Sequence, residues 1–140
     1  MKWYKDSLEL VTNGKGMYAF TQRVEDHIRL WGIHEGICFL YLPHTSASLV
    51  INENYDPTAQ QDIEAFMDRL VPGGQTWQRH TLEGPDDSAS HLRSVLTPVS
   101  LSIPIDSGRL SLGTWQGIYL FEHREEGQRR TVLLRCLQVE

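Results

Sequence analysis

No apolar stretch in this chain approaches the roughly 20 residues needed to span a bilayer. Its N-terminus, Met1-Lys2-Trp3-Tyr4-Lys5-Asp6, lacks the apolar core of a secretory leader. Both absences point to the cytoplasm and to no membrane partner. Cysteine is scarce too: Cys38 and Cys136 sit in apolar, strand-like surroundings, which suits buried thiols in a reducing compartment better than a disulfide framework. Positive charge is not in excess. Thirteen Lys and Arg stand against 18 Asp and Glu, a net charge of −5 that disfavours nonspecific attraction to a nucleic-acid backbone, so no nucleic-acid partner is expected. No internal repeat, low-complexity tract or linker divides the chain, so residues 1–140 read as a single domain. Neither a G-x-S-x-G nucleophile turn nor a Walker or dinucleotide-binding loop is present.

What is present is a soluble, globular balance, 40% hydrophobic and 22% charged, long enough for a hydrophobic core. Residues 3–12 read as a strand with Leu8 and Leu10 in one phase. Thr21 is placed to cap a helix ending at Gly32, with Val24, Ile28 and Trp31 on its apolar face. Ile37 to Leu42 alternates little, as in a strand covered on both faces, whereas residues 45–53 alternate cleanly. Asp56-Pro57 opens a second helix, with Ile63, Phe66, Met67 and Leu70 as its buried stripe. Asp87 or Ser88 caps a third, with Leu92, Val95 and Leu96 facing inward.

The last third reads as a β-meander: Val99 to Ile105, with Pro104 marking an edge or bulge, then 109–114, Gly117 to His123 and Arg130 to Leu137. The order is strand, helix, strand pair, helix, strand, helix and four strands. That predicts an α+β fold, a mostly antiparallel sheet with about three helices.

Chemistry concentrates in two places. Pro43-His44-Thr45-Ser46-Ala47-Ser48 joins two strands, and His80-Thr81-Leu82-Glu83-Gly84-Pro85-Asp86-Asp87 leads to His91. No two of the histidines share a local ligand spacing such as H-E-x-x-H, so spacing leaves two readings. His44, His80 and His91 converge on a divalent metal, or each is a hydrogen-bonded histidine on a polar surface.

Asn52-Glu53-Asn54 offers amide contacts and a carboxylate, or simply turn chemistry before the helix cap Asp56. Asp86 and Asp87 are helix-terminal acids, orienters of His80 or His91, or holders of an ion. Thr114 and Gln116 flank Trp115 between two glycines and can serve a phosphate or ring edge, or merely a hairpin corner. Arg124 reads as a phosphate-capturing group or as half of an exposed Glu–Arg pair.

Three strings carry a resemblance to a known family: PHTSASLVINENYDP (43–57), HTLEGPDDSASH (80–91) and IPIDSGRLSLGTWQGIYLFEHR (103–124). The chain resembles the YjbQ-like family of small bacterial and archaeal proteins, over nearly its whole length. The resemblance implies a compact α+β domain assembled as a homotrimer. It places metal- or anion-binding histidines at His44, His80 and His91. It also implies a transferase activity described for some members, thiamine-phosphate synthesis from an aminopyrimidine-methyl diphosphate and a thiazole phosphate. Departures are mild: Pro85 follows Glu83-Gly84, the family's frequent Pro-Ala-His is Ala89-Ser90-His91 here, with a small residue before the histidine and no proline, and Arg93 stands where lysine is common.

Two readings follow. In the first, a divalent metal, zinc or magnesium, sits on His44, His80 and His91 and receives a phosphorylated small-molecule substrate. Glu53 or Asp87 acts as general base or orienter, while Arg109, Thr114, Gln116 and Arg124, with Asn52 and Asn54, hold the substrate. In the second, the chain is a noncatalytic oligomeric module that binds a metal or metabolite. A metal-assisted phosphohydrolase is a further alternative.

Overall fold

A computed structural model describes residues 1–139. The alternation of Leu8 and Leu10 with polar neighbours forms β1 (Lys2–Val11), which pairs antiparallel along its length with β8 (Arg129–Gln138). On the other side of β8 lies β3 (Gly36–Tyr41), followed by β5 (Ser100–Asp106) and the two-residue β6 (Arg109–Leu110). At Gly36 the β8 backbone passes so close that any Cβ would overlap the Leu137 carbonyl, which explains glycine there. A second, three-stranded sheet runs β2 (Gly16–Ala19), β7 (Gln116–Glu122), β4 (Ala47–Glu53).

The main core lies between the two sheets. Leu8, Leu40, Val132 and Leu134 meet Leu49, Ile118 and Leu120 there, and Val24 and Ile28 of α1 (Thr21–Trp31) complete it. α2 (Pro57–Leu70) and α3 (Asp87–Leu96) lie beside the three-stranded sheet. Among the described residues no helix is long and apolar enough to cross a membrane.

The fold class expected from the pattern is the one observed, but its wiring is not a terminal meander. β7 belongs to one sheet and β8 to the other, so consecutive strands part company across the core. No strand lies between the second and third helices, residues 111–115 leave the sheet, and β2 precedes α1. Thr21 does not cap α1. It is the first helical residue, and its Oγ1 accepts from the Ile118 amide 2.8 Å away, tying the helix to β7. Gly32 ends the helix as expected, in a left-handed conformation with φ of 64°.

Three burial expectations are overturned. β3 is covered on one face only: Ile37, Phe39 and Tyr41 point outward with Trp3 beside Phe39. Asp56 caps α2, but of its apolar stripe only Met67 is buried, while Phe66 and Leu70 are exposed. The third helix is turned around. Its inward residues are Asp87, Ala89, Ser90 and Arg93, whereas Val95 is 81% exposed and Asp86, not Asp87 or Ser88, is the N-cap residue. The reason is the surface it packs on, which presents Ser48 and the β4 backbone: Ser94 donates to the Ala47 carbonyl at 3.3 Å, and Thr97 meets Ser48.

Candidate functional site

The first turn of α3 brings together His80, Asp87 and His91, whose potential ligand atoms all lie within 4.8 Å of one another. Asp87 and His91 are four apart, hence on one face of the helix. His80 comes from the preceding loop. One carboxylate oxygen, Asp87 Oδ2, lies 2.8 Å from His80 Nε2 and 3.0 Å from His91 Nε2. The other, Oδ1, accepts from Arg124 at 3.0 Å.

Each nitrogen of Arg124 donates here. Nε donates to Asp86 at 3.0 Å, and a terminal nitrogen reaches the Glu83 carbonyl at 2.9 Å. Burial alone would raise the Asp87 carboxyl, but the His80 hydrogen bond and the charges of His91 and Arg124 prevail and hold it below the usual carboxylate range. Burial works against the Arg124 charge as well; its bonds to Asp86 and the neighbouring carboxylates prevail and hold that charge more firmly than usual. Arg124 therefore spends three of its five N–H donors on Asp86, Asp87 and the Glu83 carbonyl, fixing the acid in place.

His91 carries the informative constraint. Its Nδ1 lies 2.8 Å from the Thr45 carbonyl, which only accepts, so Nδ1 bears a proton. Its Nε2 faces a carboxylate that also only accepts. Either His91 carries both protons, or a cation takes the place of the second one. A ring whose Nδ1–H is anchored on a backbone carbonyl, leaving Nε2 free for an ion, is the usual posture of a metal-bound histidine. Ligand atoms around a tetrahedral zinc at ~2.0 Å stand about 3.3 Å apart; the two nitrogens here lie 2.8 and 3.0 Å from the carboxylate oxygen, and all three atoms lie within 4.8 Å of one another.

His44 lies outside this group, and hydrogen bonding explains why. Its Nε2 accepts from the Thr131 amide at 3.0 Å, which places the proton of the neutral ring on Nδ1. Burial first, and then the positive charge of Arg130, hold the ring below the ordinary histidine range and so in its neutral form; Glu122 and Glu9 only partly offset them. Neither nitrogen is then a free lone pair for a metal. The expected trio of histidines becomes His80, Asp87 and His91. The i, i+4 pairing of Asp87 with His91 was the sequence signal for that exchange.

The other expected site residues are dispersed. Glu53 accepts from the amides of Tyr55 and Asp56, both at 2.9 Å, and Asn52 accepts from the Glu53 amide, so this acid shapes a turn. Asn54 donates to the Gln116 carbonyl at 3.1 Å. Arg109, Thr114 and Gln116 do share one groove, of about 810 Å³, but its other wall is α1, with Gln22 and Arg29. That groove has no lining residue in common with the histidine cluster.

Sequence reading missed a buried polar network between the layers. Glu122 and Arg130, 0% and 4% exposed, pair across the two sheets at 2.5 Å. Thr12 donates to Glu122 at 2.8 Å, and Arg130 also donates to Ser46. Next to it His123 is 1% exposed, with Nε2 2.8 Å from Ser48 and Nδ1 without a hydrogen-bond partner. Burial, then the charges of Arg93 and Arg130, push His123 down to about 3, so it is neutral in the folded protein.

An unfolded histidine titrates near 6.5. Between that pH and about 3 the unfolded chain therefore binds the extra proton, and stability falls as pH falls. Urea unfolding from pH 7 to pH 4 will show a steeper loss for the native protein than for His123→Phe. Parallel curves would show that His123 contributes nothing to the acid sensitivity.

An α+β domain with two antiparallel sheets and a His–Asp–His cluster at the start of its third helix is thus the class defined here. Residues 6–139 match the family model described as UPF0047 protein YjbQ-like, and the chain belongs to that family. It is 41% identical over 131 residues to a UPF0047 protein of Synechocystis sp., covering 94% of this chain and 89% of that one. It is also 41% identical over 132 residues to UPF0047 protein YjbQ of Salmonella typhimurium, covering 94% and 95%. Among solved structures, a YjbQ-like protein of unknown function from Sulfolobus solfataricus superposes with a TM-score of 0.88 at 26% identity, covering 96% of each chain. A conserved hypothetical protein of Thermus thermophilus gives 0.83 at 36% identity, covering 94% of this chain and 99% of that one.

Proposed function

We propose that the chain binds a divalent cation through His80, Asp87 and His91 and uses it to hold a phosphorylated small molecule. The observation that carries this reading is His91, whose two ring nitrogens face two acceptors. Two imidazoles and one carboxylate with an open side favour zinc over magnesium, which prefers oxygen ligands. A cation held there supplies Lewis-acid stabilisation to phosphate oxygens. The chain's own part is to orient His91 through Thr45 and to keep Asp87 ionised and still through Arg124.

The reaction to test first is thiamine-phosphate synthesis. The bond from the aminopyrimidine methylene to the diphosphate oxygen breaks, the thiazole nitrogen forms the new C–N bond, and pyrophosphate leaves with the bonding electrons. Charge grows on the leaving diphosphate, which is where a cationic site contributes. A second reading, a noncatalytic metal- or metabolite-binding module, is favoured by one fact: the carboxylates of both Glu53 and Asp87 are already engaged.

The proposal includes a homotrimer, supported by the outward apolar residues Ile37 and Phe39 with Trp3 beside them. It also includes a reducing, cytoplasmic setting, supported by Cys38 and Cys136, free thiols facing each other across β3 and β8.

Zinc-loaded protein given both substrates is expected to release pyrophosphate and form the coupled product, and to run at three times the chain mass in light scattering. Phosphate release without coupling would identify a phosphohydrolase. Zinc binding without turnover would identify the binding module, and failure to retain zinc would end the metal reading altogether.

A further inference from the structure

A groove of about 770 Å³ opens beside the cluster, and its composition differs from the cluster's. Tyr41, Leu42, Pro43, Val95 and Val99 make it largely apolar, and His44, Thr45, His91 and Ser94 supply its polar groups. Tyr41 and Val95 stand 50% and 81% exposed, so its walls are open to a ligand. His91 belongs to both sites: its ring reaches Asp87, and it also lines the groove. A molecule anchored at the cluster by one end therefore has its other end beside this apolar surface.

His44 gives the groove a directional group. Its Nε2 is occupied by the Thr131 amide, so the ring, when neutral, presents an N–H at Nδ1. Nδ1 has no hydrogen-bond partner among the described residues and is not sealed from solvent. Arg130 places positive charge nearby, which favours a ligand that accepts over one that donates or is cationic.

We propose that this groove binds the body of the substrate, that the body is an apolar or aromatic group bearing a hydrogen-bond acceptor, and that His44 reads the acceptor through Nδ1–H. The site is then bipartite: a phosphate at His80, Asp87 and His91, and a ring along Tyr41, Val95 and Val99. This rests on the phosphate-binding reading of the cluster and adds where the ring lies and which side chain reads its acceptor. His44 acts as a specificity group and not as a metal ligand.

The test compares three probes on zinc-loaded protein by calorimetry: inorganic phosphate, phenyl phosphate and 4-nitrophenyl phosphate. Phenyl phosphate should bind more tightly than inorganic phosphate, and that preference should vanish in Val95→Asp. The nitro-bearing ester should bind more tightly than phenyl phosphate by roughly three- to tenfold, the worth of one hydrogen bond. His44→Phe should erase that second preference while leaving zinc content and inorganic-phosphate affinity unchanged. Loss of zinc in His44→Phe would overturn the specificity role.

Should inorganic phosphate bind and the ring esters bind no better, the groove proposal fails while the cluster reading stands. Should no phosphate bind, the cluster reading fails, and ring-ester binding would fail with it. A Val95→Asp protein that changes oligomeric mass, with ring esters no tighter than phosphate, would show that a second copy of the chain covers the groove. Imidazole nitrogen NMR on the unaltered protein gives an independent check that needs no variant. His44 should appear as the neutral Nδ1–H form, and an Nε2–H ring would overturn the proposal.

Discussion

Glu122→Gln will lower the stability of the folded protein by about 3–5 kcal/mol, the usual cost of removing one partner of a buried ion pair. Arg130 would remain 4% exposed with its positive charge uncompensated, held between two sheets with Ser46 as its remaining partner. Gln keeps the shape of the side chain, so the loss reports charge and hydrogen bonding and not a cavity. For a domain of this length the expected fall in Tm is on the order of 10 °C, read by thermal unfolding and checked by the urea midpoint. The double variant Glu122→Leu with Arg130→Met should recover much of the loss, because it removes both buried charges together. A change below about 1 kcal/mol in Glu122→Gln would mean that water reaches the pair and that it does not join the sheets as described.

Asp87→Ala should lower zinc affinity by about 100-fold or more. The side chain stands between both histidines, and it is the acid that Arg124 orients. Loss of a merely orienting outer group typically costs 10–100-fold in metal affinity, so loss of a direct ligand sets that range as a floor. The variant should stay folded without metal, because Arg124 keeps Asp86 and the Glu83 carbonyl and the inter-sheet core is untouched. Calorimetry with zinc measures the effect, and circular dichroism separates it from unfolding. Unchanged zinc affinity in a folded Asp87→Ala protein would remove the cluster from consideration as a metal site.

Much of the local structure was legible in the chain. The phase of Leu8 and Leu10, the Val24–Ile28 face, the Asp56-Pro57 helix start and Gly32 as a terminator each follow from short-range geometry and appear as expected. Residues that depend on what lies opposite did not yield to the same reasoning. Val95 and Leu96 look like a core stripe, but α3 meets Ser48 and the Ala47 carbonyl of β4, so its polar side turned inward. Glu122 and Arg130 look like ordinary strand-end charges, and only the sheet arrangement places them against each other in the core.

The candidate site divides along the same line. The sequence by itself determined the family, the helix that carries Asp87 and His91 four residues apart, and His80 as a nearby loop histidine, because all of these are encoded within a few residues or in long specific strings. Tertiary structure decided that His44 stands apart with Nε2 held by Thr131, that Arg124 serves Asp87, and that Arg109, Thr114 and Gln116 belong to another groove. Those outcomes depend on which nitrogen or oxygen meets which partner across the fold, and pairings between residues 37 and 87 positions apart leave no periodicity in the chain to reveal them.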